Sequence, residues 1–462
     1  MAEKALTLPK IPRDEYYEDY VAAFLMLGGY YLEKRISLTD PTAVLELDIV
    51  TAAMYSDHVE KTLSEIKSGG WGLADVFKVR GWLDYLQYDR ASFVSLNTKK
   101  NDFAACQAVA NRLGIDLLDI KISDGKADND ALLKAYNFTI KDKSIAECAV
   151  PVLRYACCLE RLMVMKYLRP EAKDSNALHS VKHIDKYIQT VTEQSFFIHD
   201  PNERIQKIFE AFVDNKNITA RYDTEKETGA FVDADTAVLS PSTFSRLFYE
   251  TPAKKEIAHV ALYAELISRL TILKLIIEEM ITDSSLPNIR QCLRKFALPN
   301  NLQNAMLTLG KHQYFYLYPY FWQVFIFLFG GFILTCQRDR EYEVLSTITG
   351  IPVDEIDNAL SAFDILFSMP SGGSWFIDKP NTCIRILQFM PLPFSGLGAN
   401  FRRFLYRADD EHATFENLEK CLSGTFTVND LIKYNNLAVE YLYMDKNLHN
   451  TDNDNTKNDN KA

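Results

Sequence analysis

Four residues in the first part of the chain have types and spacing suited to hydrolytic chemistry on a phosphate: Glu18, Asp48, Glu65 and Lys67. In "LSEIKS" (63–68), Glu65 and Lys67 are one residue apart in a segment that reads as a strand. Strand side chains alternate, so Leu63, Glu65 and Lys67 leave one face and Ser64, Ile66 and Ser68 the other. If helices cover the sheet, a carboxylate and an ammonium are buried together. That is costly unless they pair or hold a metal. In "LELDIV" (45–50), Asp48 shares a face with Glu46 and Val50, while Leu45, Leu47 and Ile49 take the other. A short loop joins the two strands, so antiparallel pairing would set Asp48 beside Glu65. Two carboxylates on adjacent strand ends suit a hard divalent cation such as Mg²⁺, with Mn²⁺ as a substitute; such an ion takes oxygen ligands and keeps several waters. It stabilises charge developing on a phosphodiester and lowers the pKa of a bound water. A lysine alongside can orient that water or stabilise the transition state. A plain surface ion pair, worth at most about 1 kcal/mol, would account for Glu65 and Lys67 but gives no reason for Asp48 and Glu18.

The elements that must position these groups follow from periodicity and punctuation. Asp14 to Gly28 predicts a helix, with Pro12 before it, acids in its first turn and Gly28–Gly29 ending it. Strands are expected near 30–38, 43–52 and 61–68, with turns at Asp40–Pro41 and Ser56–Asp57. A second helix runs from Gly72 to Leu86, a fourth strand over 91–97, a third helix from Asp102 to Leu113 and a fifth strand over 115–121. The order α-β-β-β-α-β-α-β is that of a mixed α/β domain over residues 1–125. "SDGKADNDA" (123–131) reads as a linker. Residues 145–335 are mostly helical by their i, i+3, i+4 apolar spacing, with a polar loop at 214–240. Residues 336–445 form a further helical region, and the Asn/Asp-rich end, 446–462, reads as a disordered tail.

"LELD" and "SEIK", about 17 residues apart from Asp48 to Glu65 and preceded by a helix carrying Glu18, resemble the PD-(D/E)xK nuclease superfamily, the restriction-endonuclease-like fold. The family core, α-β-β-β-α-β, is the order read above, and the resemblance covers the N-terminal domain only. It implies that Asp48, Glu65 and the backbone carbonyl of Ile66 bind metal, that Glu18 completes the metal shell from the helix, and that Lys67 positions the attacking water. Leu47 stands where the family name has proline. The glutamine-plus-tyrosine motif of RecB-like members is not evident on the following helix, which instead offers Asp75, Lys78 and Arg80.

Lys78 or Arg80 could hold the scissile phosphate, and a solvated helix face explains them equally. Lys99 and Lys100, and Arg402 and Arg403 among Phe401, Phe404 and Tyr406, are the other candidate nucleic-acid contacts. A cationic helix end among acids is the plainer reading of the arginines. His179 and His183 have the spacing of two ligands on one helical turn but lack the glutamate of HExxH, which favours a helix surface. "EYEVLSTITG", "VDEIDNALSAFDILF" and "SGGSW" within 341–377 resemble a winged helix. Its second helix carries Asp354, Glu355, Asp357 and Asp364 and no lysine or arginine, so it would pack on protein rather than read bases.

The chain has 462 residues, 47% of them hydrophobic, with a formal net charge of −11. That excludes a polycation coating nucleic acid; contact must come from local patches or bound metal. Residues 1–125 hold 14 Lys/Arg against 19 Asp/Glu, so a metal-poor form should bind DNA poorly. The 8 cysteines form no CxxC pair. The opening residues contain no apolar signal region, so a cytoplasmic location with reduced cysteines is expected. No GxxxxGK[ST] loop is present, so driven translocation would need a partner. The 21 residues at 314–334 carry no formal charge and are long enough to span a bilayer, yet Pro319, Gln323, four tyrosines and Gly330–Gly331 point to a core helix. The reading is a divalent-metal-dependent endonuclease acting on nucleic acid, DNA first, in defence or repair, with a protein partner or homodimer through the helical region. The alternatives are an inactive nuclease-like scaffold that binds nucleic acid or protein, and a membrane-associated protein anchored by 314–334.

Overall fold

The computed structural model describes residues 8–38, 45–55, 57–98, 102–123, 126–136, 187–211, 270–281, 314–366 and 376–377, with parts of helical segments at 150–161 and 267–268. The N-terminal part is a mixed sheet with helices on both faces, and a helical region follows. Elements run α1 (Glu15–Leu27), β1 (Tyr31–Leu38), β2 (Leu45–Met54), β3 (Val59–Lys67), α2 (Leu73–Leu86), β4 (Arg90–Leu96), α3 (Phe103–Arg112), β5 (Ile115–Ser123), β6 (Lys126–Asp128) and α4 (Asp130–Ala135). The expected order of eight elements is present, each within a few residues of its expected limits. The stretch read as a linker is a correction: it holds β6, which pairs antiparallel with the end of β5, and the start of α4. Its polar composition is that of a short edge hairpin, not of a free tether.

The six strands lie in chain order in one sheet. β1, β2 and β3 pair antiparallel, β3, β4 and β5 pair parallel through α2 and α3, and β6 returns antiparallel. Each parallel pair needs a crossover, and the helices that supply the crossovers cover one face. There Leu63, Phe93 and Leu117 of the sheet pack with Val76, Val79 and Leu83 of α2 and with Ala110 of α3. Ile66, Val94 and Ile120 pack on the other face with α1 and the helical region. α1 is buried along most of its length, as "YVAAFLML" requires, because it has the sheet on one side and helices on the other. Five consecutive residues of β3, Thr62 to Ile66, are buried, as in a central strand covered on both faces.

Several local devices fix the ends of these elements. Gly29, at φ 84°, takes the left-handed turn that ends α1. Asn97, at φ 48°, follows β4; its side chain donates to Ile122 O and accepts from Ile122 N–H at 2.9 and 2.8 Å, extending the ladder to β5. The helical region covers the β1 edge through buried polar contacts: Tyr31 with Thr271 at 3.0 Å, Lys34 with Glu160 at 2.9 Å, and Glu33 with both Arg204 and Lys274.

Residues 314–334 form part of the core. They do not make one continuous helix. Tyr314–Leu317 stops before Pro319, Pro319–Gln323 runs into a wider π-helical turn at Val324–Leu328, and Gly330 and Gly331 at φ 73° and 71° end it. Phe321, Trp322 and Phe325 are at most 1% exposed against the α1 side of the sheet, and Gln323 Oε1 accepts from Met54 N–H at the end of β2. Among the described residues no helix is long and apolar enough to cross a membrane. Further on, Arg338–Thr349 and Ile356–Leu366 are the two helices expected there. Phe376–Ile377 pairs parallel with Ile333–Leu334. The "SGGSW" turn, the polar loop at 214–240 and the tail lie outside the described residues.

Candidate active site

Asp48 and Glu65 meet where β2 and β3 part. The antiparallel ladder runs from Met54↔Val59 to Ile49↔Ser64. The next step would set Asp48 against Glu65, but pairing stops there. β3 continues to Lys67 beside β4 alone, in register Glu65↔Phe93 and Lys67↔Ser95. Parting frees the N–H of Ile66, and Asp48 Oδ2 accepts it at 2.7 Å. Alternation also shifts at this point: Leu47 packs on the α2 and α3 side with Val50 and Leu63, rather than with Ile49 as strict alternation requires. Asp48 therefore sits in the cleft between the strands, not on a flat face.

Glu65 is 2% exposed. Its Oε1 pairs with Lys67 Nζ at 2.6 Å, while Oε2 is buried without a hydrogen-bond partner among the described residues. A buried carboxylate oxygen lacking a donor is unfavourable, and such atoms point to strain or to a ligand. Burial pushes the Asp48 carboxyl up to about 7, helped by repulsion from Glu65 and Glu18 and opposed by the Ile66 N–H and Lys67. Burial raises Glu18 as well; Arg35 opposes this and Asp19, Glu15 and Glu46 add to it. Burial alone would lower the Lys67 ammonium, but its bond to Glu65 and the charges of Glu65, Asp48 and Asp75 raise it, so Lys67 stays charged. Carboxylates that repel one another in a partly dry cleft are what a divalent cation relieves.

Glu18 is placed differently from the other two acids. Its Oε2 lies 2.8 Å from Arg35 Nε. Neither atom has a hydrogen bond among the described residues, so the contact is charge against charge rather than a directed bond. Arg35 also donates to Asp19 Oδ1 at 2.6 Å and to the Glu15 carbonyl at 3.2 Å. Asp19, fully buried, takes Arg161 Nε on its second oxygen at 2.9 Å. Among the described residues no three Asp, Glu, His or Cys side chains converge so as to hold a metal by themselves. Asp48, Glu65 and a backbone carbonyl still fit a hard ion that keeps several waters, because such an ion needs only one or two carboxylates from the protein. The donor set is all oxygen, and Glu65 Oε2 is a ready ligand atom.

Helix α1 is tied to this end of the sheet. Asp14 N–H donates to Ser68 Oγ at 2.7 Å, just past β3. Tyr17 OH donates to Ser95 O at 2.9 Å, beside Lys67 in the register. Ser95 Oγ and Thr98 N–H both reach Asp119 Oδ1 at 3.0 Å, which closes the C-terminal ends of β4 and β5.

Of the expected nucleic-acid residues, Lys78 is exposed on α2 with Nζ 4.1 Å from the centre of the Trp82 ring. Arg80 is engaged within the fold: it pairs with Asp84 and donates from Nη1 to Leu113 O at 3.0 Å, where α3 ends. Lys99, Lys100, Arg402 and Arg403, and the histidines His179 and His183, lie outside the described residues. Sequence reasoning missed Arg35, Asp19 and Arg161. One signal was present: "EKR" (33–35) sets three charges in succession on a strand, which alternation alone cannot keep on one solvated face. Comparison with known protein families, curated proteins and solved structures finds no match to this chain.

Proposed function

We propose that the chain is a divalent-metal-dependent nuclease that hydrolyses phosphodiester bonds, with DNA as substrate and endonucleolytic attack as the mode. The observation that carries this reading is the buried, donorless Oε2 of Glu65 next to an Asp48 carboxyl pushed up to about 7, with the Lys67 ammonium 2.6 Å from the other Glu65 oxygen. The α-β-β-β-α-β order, with the acids where the second and third strands part, supports a restriction-endonuclease-like core. Asp48, Glu65 and the Ile66 carbonyl would hold Mg²⁺, or Mn²⁺ in its place, which when bound supplies charge stabilisation at the phosphate and an acidified water. Lys67 is about one-third exposed, so its ammonium can serve both Glu65 and a substrate. It orients the attacking water and offsets charge on the phosphate. Asp48 is fixed through one oxygen by the Ile66 N–H, and its carboxylate would contribute to holding the ion. Glu18 adds negative potential from α1. Lys78 supplies a phosphate contact on the outer face of α2. A helical region packed on the β1 edge suits a protein partner or a homodimer, and a cytoplasmic role in defence or repair accords with the family resemblance.

A scaffold that binds without cutting is the second reading. It is favoured by the commitment of Glu18 to Arg35. Supercoiled plasmid incubated with Mg²⁺ or Mn²⁺ separates the two, with Asp48→Ala and Lys67→Ala in parallel. Nicking or linearisation by the native chain, lost in both variants, is the expected result. Metal-independent behaviour identical in all three proteins would leave the scaffold.

A further inference from the structure

In the β1–β2 ladder, Lys34 pairs with Ile49 and Ile36 with Leu47, so Arg35 falls opposite Asp48. Arg35 has φ 52°, a left-handed conformation uncommon for a residue with a long side chain. The kink breaks alternation: Ile36 packs on the α2 and α3 side, and the Arg35 guanidinium turns to α1, where it meets Glu15, Glu18 and Asp19. Strained backbone next to a site re-aims a side chain, as β-bulges do.

We infer that Arg35 is a positioning residue that holds Glu18 out of the metal's coordination shell, so that the site takes a single divalent ion on Asp48 and Glu65 rather than two. This rests on the nuclease reading above. Three observations carry it. The Arg35 Nε stands 2.8 Å from Glu18 Oε2, so a second divalent ion on that oxygen would face a fixed guanidinium charge. The guanidinium cannot readily leave, because Asp19 is fully buried and is shared between Arg35 and Arg161 at 2.6 and 2.9 Å. No third acid converges with Asp48 and Glu65 among the described residues. The Arg161–Asp19–Arg35–Glu18 series also means that the helical region helps set the metal count through buried ion pairs.

Calorimetric titration of the chelator-stripped full-length protein with Mn²⁺ tests this without any cleavage assay. The native chain should take a single ion, abolished by Asp48→Asn. Glu18→Gln should keep that stoichiometry with affinity changed by less than about tenfold, the smallest loss typical when a group that supports a metal site is removed. Arg35→Asn removes the cation while suiting the left-handed backbone; it should admit a second ion, and Arg35→Asn combined with Glu18→Gln should return to one. Two ions on the native chain would overturn the inference, as would a loss of about tenfold or more in Glu18→Gln, or a folded Arg35→Asn that still takes one. If Arg35→Asn fails to fold, the native and Glu18→Gln titrations still decide. Failure of this inference alone leaves Asp48-dependent binding in place, whereas no Asp48-dependent binding at all sinks the metal site and the inference together.

Discussion

Two groups of buried charge lie on the same sheet, and they are built in opposite ways. Glu33 of β1 is covered by the helical region and meets Arg204 on one oxygen and Lys274 on the other, at 3.1 Å for the lysine. Burial works against its charge, but the two cations win and hold its carboxyl down at about 2. At the parting of β2 and β3 the balance is reversed. Asp48 has one backbone N–H and two neighbouring acids, and its carboxyl is pushed up to about 7. Glu65 keeps a buried oxygen with no donor among the described residues. The first group is satisfied within the chain, so it joins parts of the fold. The second is left short of positive charge, an imbalance that a bound cation would relieve.

The largest expected effect breaks the second group. Lys67→Ala should lower plasmid cleavage by about a hundredfold to a thousandfold, the range for losing one donor that stabilises transition-state charge. The variant also leaves the buried Glu65 carboxylate without its ammonium, so its folding is checked by circular dichroism alongside the cleavage assay. A variant that cuts at the native rate would remove Lys67 from the mechanism. The next effect breaks the first group. Glu33→Gln leaves Arg204 and Lys274 buried without their carboxylate, and breaking such a pair costs about 3–5 kcal/mol. Urea unfolding should show this as a lower midpoint; a change under about 1 kcal/mol would mean that the cluster behaves like a surface pair. The same glutamate gives a pH signature. Its folded pKa, about 2, lies below the ordinary 4.5, so its contribution is complete above pH 4.5 and fades as pH falls towards 2. Acid unfolding of the native chain should steepen in that window. In Glu33→Gln that part of the slope should be missing.

Strands β1 to β5 and helices α1 to α3 were legible because each carries its own signal. The helix of Asp14 to Gly28 has a proline, first-turn acids and a glycine stop, and the central strands are short apolar runs between turn residues. β6 and α4 were not legible, because an edge hairpin with one solvated side has the composition of a linker. The 314–334 segment showed its burial but not its form, a short helix that stops before Pro319 and a second that widens into a π-helical turn at Val324–Leu328, because apolar composition alone does not separate these pieces. In the site, Asp48, Glu65 and Lys67 could be placed together because one short turn relates their strands and fixes the register. Arg35 could not. Its position depends on a kink that breaks alternation, and its partner's partner, Arg161, is 142 residues away from Asp19 in sequence. Local patterns fix strands, while ion pairs between distant segments leave no spacing to read.

The smallest effect sharpens the comparison most, because the two groups should respond with opposite signs. Asp48→Asn in metal-free protein at pH 8 keeps the side chain's size and an oxygen to accept the Ile66 N–H. It removes a charge that burial, Glu65 and Glu18 all oppose. A carboxyl raised from 3.8 to about 7 destabilises the fold in its ionised form, and that penalty grows as pH rises through the folded value. The asparagine variant should therefore be more stable than the native chain at pH 8, by about 1–2 kcal/mol after allowance for solvent reaching the cleft, with the gain vanishing near pH 4. Saturating Mn²⁺ should erase the difference, since the ion stabilises only the protein that retains Asp48. A stabilising loss of charge at Asp48 beside a destabilising one at Glu33 would separate a carboxylate kept for a ligand from one kept for the fold. Destabilisation at both would place Asp48 among the structural charges.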